Sequence, residues 1–357
     1  CIAGVMSSLT MHAAIVREAQ IVHRFRRSLW NPVGFAQMLA ALWFSSYFFF
    51  WLVDLVVLFL LVECGVLRLT TALVLVLCYL GQIVVYRPQN THGWPFGWFL
   101  YSGLVDLVLG YYNATCIREG PPLDPKGHYL FAMNPHGVFG VCRAFSGGSM
   151  WRQLFPGITA RWGSFGGAFF IPGVREFSLC CGCLDASRPV LEKAIKRGEN
   201  VMLIPGGVRE LMLTDGQSTD TKLVLLDRKG FVRLAVTHGL QLVPGFCFGE
   251  KWVHDIVLLP APVRAFLHRN FKIAGCTLAG RWWSFVGKIA KADGTPISLG
   301  YVWGSPIPVV QQDTCTEEYV DQLHRQYMEA VTAIFERNKE RFGYPANEKI
   351  VFVSAKD

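Results

Sequence analysis

The chain has 357 residues, 52% of them hydrophobic and 17% charged, with a mean hydropathy of +0.32 and a net charge of +8. This is too apolar for an ordinary water-soluble enzyme and too polar for a many-span transporter, so the composition predicts a globular domain tied to a membrane. No lysine or arginine run is long enough for a nucleic-acid arm, and the positive charge suits anionic lipid or a phosphate-bearing substrate. The eleven cysteines show no zinc-finger spacing, and the one CxxC spacing is within Cys180-Cys181-Gly182-Cys183. Reduced thiols without a metal are therefore expected, and Cys180, Cys181 and Cys183 cluster with no fourth ligand nearby. The opening Cys1, in place of an initiator methionine, points to a preceding segment.

Residues 1–32 read as a basic segment carrying Arg17, His23, Arg24, Arg26 and Arg27. Residues 35–62 and 66–86 are each apolar over the ~20 residues that a helix needs to cross ~30 Å of hydrocarbon, and only Glu63, Cys64 and Gly65 separate them. Residues 33–87 are therefore predicted to be a transmembrane helical hairpin. Both of its ends lie on the basic, cytosolic side, where Arg87 also falls. A secretory signal fits less well, because the apolar stretch begins late and a second one follows at once. Asp54 stands inside the first span, either as a functional group or close enough to the turn to reach headgroups. The Asn113-Ala114-Thr115 sequon would lie in the cytosol and remain unmodified.

Residues 88–127 are an aromatic, Gly/Pro-rich linker and interfacial segment, and residues 128–357 read as the catalytic domain. Short apolar runs at 128–133, 200–204, 240–248 and 297–303 are bounded by glycine, proline or asparagine and predict buried strands. Helical patterns cover 187–198, 226–239 and 316–343. The alternation predicts an α/β fold. In the last helix Tyr319, Leu323, Tyr327, Ala330, Val331 and Ile334 share a stripe, Thr316 can cap the start, and Gly343 with Pro345 ends it.

Two glycine corners carry the candidate chemistry. In "NPHG" Pro135 restricts the backbone before His136 and Gly137 permits a sharp turn after it, which would hold an imidazole at the carboxyl end of a strand. A neutral histidine there can act as a general base, or can be a turn residue bonded to a backbone carbonyl. In "IPGGVRE" the amides of Gly207 and Val208 could meet an oxyanion or phosphate, Arg209 could add charge, and Glu210 could orient His136. An ordinary strand-to-loop turn is the other reading. The chain lacks GxxxxGK, a GxGxxG after a strand, and a GxSxG elbow, which removes nucleotide hydrolysis, dinucleotide binding and serine hydrolysis from the leading readings. His238 and His254 fall in apolar or amphipathic stretches and read as core or surface histidines.

Taken together, "YLFAMNPHGVFG", "FIPGVREF", "PGGVREL", "RKGFVRLAVTHGLQLVPGFCFGE" and "YMEAVTAIFERNKERFGYP" resemble the type-2 diacylglycerol acyltransferase family, from the hairpin to about residue 353. The resemblance implies a glycerolipid-acyltransferase-like α/β domain behind a transmembrane hairpin. It implies acyl-CoA as co-substrate with no further cofactor or metal, and diacylglycerol as acceptor, with monoacylglycerol or a wax alcohol as the alternative. An endoplasmic reticulum enzyme with a cytosolic catalytic domain follows from it, with lipid-droplet association and homo-oligomerisation left open. His136 becomes the catalytic histidine framed by Asn134, Pro135 and Gly137. Gly206, Gly207, Arg209 and Glu210 become the second motif, and Arg228, Lys229, Gly230, Phe231 and His238 shape the substrate face. Asn134 stands where many members have a first histidine, and Val141 stands where His-x4-Asp acyltransferases place a carboxylate. Glu210 and Glu176 are then the candidate partners of His136. A non-catalytic lipid-binding scaffold of the same fold is the rival from another class.

Overall fold

The structure is a computed structural model and describes residues 21–24, 26–27, 32–46, 50–137, 146–271, 275–281 and 286–355. Arg17, Val141 and most of the first basic segment lie outside the described residues. A mixed sheet organises the fold. Its strands are β1 (Ile21–Arg24), β2 (Thr115–Arg118), β3 (Tyr129–Asn134), β4 (Ala160–Ser164), β5 (Leu184–Asp185), β6 (Asn200–Leu203), β8 (Gln241–Phe248) and β11 (Gly300–Trp303), in the spatial order β1-β2-β11-β8-β3-β6-β4-β5. From β8 to β5 all pairings are parallel, whereas β11 runs antiparallel to β8 and β1 antiparallel to β2. Two small pairs stand apart from this sheet: β7 (Asp220–Val224) with β12 (Lys349–Val353), and β9 (Asp255–Leu258) with β10 (Cys276–Ala279).

All six residues of β3 are buried, as expected of a strand covered on both faces. Successive side chains point to opposite faces. Phe131 and Met133 enter one core with Trp151, Phe155 and Trp303, while Leu130 and Ala132 enter the other with Val236, Tyr327 and Phe335. The helices sort accordingly. Against the first core lie α1 (Pro32–Ser46), α4 (Gly103–Tyr111), α5 (Gly148–Leu154) and α6 (Val174–Cys180), and against the second lie α7 (Arg188–Lys196), α9 (Gly230–His238) and α11 (Glu317–Asn338). The short α8 (Gly207–Met212) follows β6, α10 (Ala261–Phe271) follows β9, and α2 (Phe50–Glu63) and α3 (Leu69–Val85) form the apolar pair before the sheet. Thr316 Oγ1 accepts from the Tyr319 amide and caps α11, as its sequence predicts.

The first predicted span is not one helix. α1 and the helix that follows it differ in direction by 87°. The reason lies in the stripe of Gln37, Ala40, Ala41 and Phe44, which is buried against the globular domain instead of facing outward. Ala40 and Ala41 permit close approach, and a Cβ at Gly110 of α4 would strike Gln37. Phe44 then stacks edge-on to Phe177 at 5.4 Å. Hydropathy cannot distinguish an apolar helix in lipid from one docked on a protein. Among the described residues one helix, over Leu69–Asn90, is long and apolar enough to cross a membrane alone. α2 contacts it across residues 64–68, where Gly65 takes φ +69°. The outer faces of the pair are apolar: Phe59, Leu77 and Val85 are 61, 67 and 83% exposed, which suits contact with lipid.

Candidate active site

At the carboxyl end of β3 the chain passes through a cis Asn134-Pro135 peptide into His136 and Gly137. The His136 Nδ1 lies 2.9 Å from the Gly137 carbonyl. A carbonyl only accepts, so Nδ1 carries the proton and the lone pair of the neutral ring is on Nε2. The turn reading of this residue, a ring bonded to a backbone carbonyl, is what the structure displays.

Glu210 meets this corner from α8. It is buried and takes three donors: the His136 amide at 2.6 Å, the Asn134 Nδ2 at 3.3 Å and the Val224 amide at 3.0 Å. It therefore meets His136 at the backbone amide. Burial pushes its pKa up to about 7, ahead of the opposing pull of these hydrogen bonds and of Arg228. Asn134, wholly buried, joins Glu210 to α11 by accepting from the Tyr327 hydroxyl at 2.7 Å. Burial, and secondarily the charge on Glu210, holds the Tyr327 phenol well above its ordinary pKa, so it stays a donor. An amide serves at position 134 because it must donate to one side and accept from the other.

His136 opens onto a cleft of about 950 Å³ that is also lined by Trp162, Phe165, Arg209, Arg228 and Arg264. Three guanidinium groups thus stand beside one imidazole, and arginine is a side chain that can bind phosphate through paired donors. Gly207 and Val208 form another wall. The Gly207 amide already donates to the Ile204 carbonyl at 3.2 Å, so of the two amides suggested for an oxyanion the one at Val208 is the better placed. A side chain at Gly206 would strike the Glu210 carboxylate, and one at Gly137, where φ is +64°, would strike the carboxylate of buried Glu250.

The other sequence-predicted residues divide. Lys229 pairs with Asp321 at 2.6 Å, Gly230 starts α9, and Phe231 packs on Tyr327 with ring centroids 4.8 Å apart, supporting the site from behind. His238 departs from expectation. It closes α9 just before β8 begins, at the amino ends of the parallel strands and so opposite His136, with Glu192 at 3.8 Å. Glu176 is not at the His136 corner either. It caps Gly173 and pairs with Arg175 at 2.7 Å, on the wall of a separate cavity. Sequence reasoning missed Tyr327, Arg264 and Glu250 as site residues. The first lay within a correctly read apolar stripe, and nothing local set the other two apart.

A histidine at a strand's carboxyl end, its backbone held by a buried carboxylate, thus faces a cleft that three arginines line in an α/β fold. The family model "Diacylglycerol acyltransferase" matches residues 66–353, and the chain belongs to that acyltransferase family. Acyl-CoA wax alcohol acyltransferase 1 of Homo sapiens is 30% identical over 277 residues, covering 75% of this chain and 82% of the relative. The 2-acylglycerol O-acyltransferase 1 of Bos taurus is 33% identical over 244 residues, covering 64% and 71%. Diacylglycerol O-acyltransferase 2-like protein 6 of Homo sapiens is 29% identical over 289 residues, covering 73% and 81%. Among solved structures, the 1-acyl-sn-glycerophosphate acyltransferase PlsC of Thermotoga maritima aligns with a TM-score of 0.36 at 16% identity, over 85% of this chain and 98% of PlsC.

Proposed function

We propose that the protein transfers a fatty acyl group from acyl-CoA to diacylglycerol, forming triacylglycerol, with His136 as the general base. The observation that carries this reading is the Nδ1-protonated His136 facing a cleft with three arginines. The acceptor hydroxyl gives its proton to Nε2 as its oxygen attacks the thioester carbonyl. The amide of Val208, on the cleft wall, stabilises the resulting oxyanion. Collapse breaks the C–S bond, and the imidazolium returns the proton to the departing thiolate, leaving CoA, the ester and neutral His136. With both substrates bound together, no covalent acyl-enzyme is needed. Arg209, Arg228 and Arg264 hold the phosphates of CoA. Residues 128–357 act as the catalytic domain on the cytosolic face of the endoplasmic reticulum, anchored by residues 33–87, with residues 88–127 at the interface.

The names of two relatives support a second acceptor reading, a monoacylglycerol or a long-chain alcohol. One labelled acyl-CoA offered with diacylglycerol, monoacylglycerol and hexadecanol in turn separates the two, and the largest kcat/KM names the acceptor. The same panel run on His136→Ala tests the mechanism, and undiminished ester formation would remove His136 from it. No turnover with any acceptor would favour a lipid-binding scaffold.

A further inference from the structure

Away from His136 a second hollow lies where α2 and α3 meet the segment around α6. One lobe, about 700 Å³, is walled by Trp43, Phe96, Trp98 and Phe177, and an adjoining lobe of about 640 Å³ by Trp51, Leu58, Leu75 and Ile171. Asp54 and Tyr79 line both lobes, and Glu176 lines the first. Among the described residues Asp54 has no hydrogen-bond or ion-pair partner. Arg175 is committed to Glu176 at 2.7 Å and to the Tyr86 carbonyl at 3.0 Å. The hollow therefore pairs aromatic and aliphatic walls with a carboxyl group that has no protein partner among the described residues, on a segment whose sequence reads as membrane-spanning, where an ionisable residue by default marks function. An ionised carboxylate accepts hydroxyl protons and repels phosphate, while the walls suit an alkyl chain.

Residues 165–173 connect this hollow to the catalytic cleft. Phe165 and Ala168 line the cleft, Phe170 and Ile171 line the second lobe, and Gly173 lines the first. The geometry points to this hollow as the holding site for the acceptor: an uncharged lipid alcohol, its hydroxyl on Asp54 and its chain among the tryptophans. The inference rests on the acyl-transfer reading for its substrate class, but its binding test does not depend on turnover.

The full chain in phosphatidylcholine vesicles is irradiated with a hexadecanol carrying a mid-chain diazirine and a terminal alkyne, and adducts are mapped by mass spectrometry. Adducts are expected on peptides holding Trp43, Asp54 and Phe177, competed by unlabelled monoacylglycerol or diacylglycerol and not by phosphatidic acid. Asp54→Leu should weaken capture and raise the acceptor KM about tenfold, with the acyl-CoA KM held within about twofold. Val53 is 59% exposed, so Val53→Trp can fill the first lobe without disturbing the core and should block capture if Asp54→Leu does not fold. Adducts confined to the His136 cleft, equal competition by phosphatidic acid, or capture unchanged in both variants would overturn the assignment. Capture here without transfer to any alcohol would leave the hollow standing and sink the acyl-transfer reading. Transfer without capture here would do the reverse.

Discussion

The cleft at His136, about 950 Å³, and the hollow at Asp54, with lobes of about 700 and 640 Å³, both draw on the segment of residues 165–173, yet their chemistry is opposite. The first collects three arginines and one imidazole, and the second collects two carboxylates amid indole and phenyl rings. A molecule such as acyl-CoA, with phosphates at one end and a hydrocarbon chain at the other, is complementary to the first by charge. A neutral lipid alcohol is complementary to the second by hydrogen bonding and apolar area. The contrast is one of charge: arginines favour a phosphate headgroup, and carboxylates disfavour one.

The sharpest break in that contrast is His136→Ala. It should lower kcat by about 10² to 10⁴-fold, measured with labelled acyl-CoA, while photocapture of the lipid alcohol at the hollow persists. If capture fell in step with turnover, the two regions would be one site.

Glu210→Gln should be next in size. Its added NH₂ would face donors from His136, Asn134 and Val224, so a loss of about tenfold or more in kcat/KM is expected, together with a lowered Tm. In the wild type the carboxyl pKa is raised to about 7 in the folded state, which favours the protonated form over the unfolded chain's ordinary carboxyl. Its contribution to stability is therefore fully present below about pH 4.5 and is lost as pH rises through 7, a change of about 3 kcal/mol over that window. Activity should move the other way. The ionised form is the one suited to three donors, so kcat/KM should climb through pH 7, and Glu210→Gln should remove that limb of the pH profile.

Arg264→Ala probes the basic side alone. The KM for acyl-CoA should rise about tenfold and lose part of its salt sensitivity, with the acceptor KM unchanged. An equal rise in both would show that the cleft does not separate the substrates. The smallest effect is expected for Tyr327→Phe, which removes the hydroxyl bonded to Asn134 and should cost about 1 kcal/mol of stability by denaturant titration, with a modest drop in kcat.

Much of the His136 corner was legible in the chain. Pro135-His136-Gly137 and Gly206-Gly207 declare turns because few other residues allow them, and the apolar run of residues 128–133 declares a buried strand. Strands such as β4 and β5 were not legible, since "ARWGS" and "LD" are short and polar and gain strand geometry only by pairing with β6 and each other. The first span was read as continuous because the apolar stripe that docks α1 on α4 has the same composition as one that faces lipid. Glu176 was considered as a partner of His136 because both are polar residues in family motifs. Only the fold separates them, placing Glu176 on the other side of residues 165–173 from the cleft.

By itself, then, the sequence determined the α/β class, from patterns of composition and periodicity that act over a few residues, and the acyltransferase family, from motifs that resemble that family's and include the histidine facing the cleft. Tertiary structure decided the partners. Glu210 holds the His136 amide from 74 positions away, and Tyr327 reaches Asn134 from 193 positions away. The same folding brings three arginines to the His136 cleft and two carboxylates to the hollow, since that grouping, like the burial that shifts Glu210, exists only once distant elements have come together.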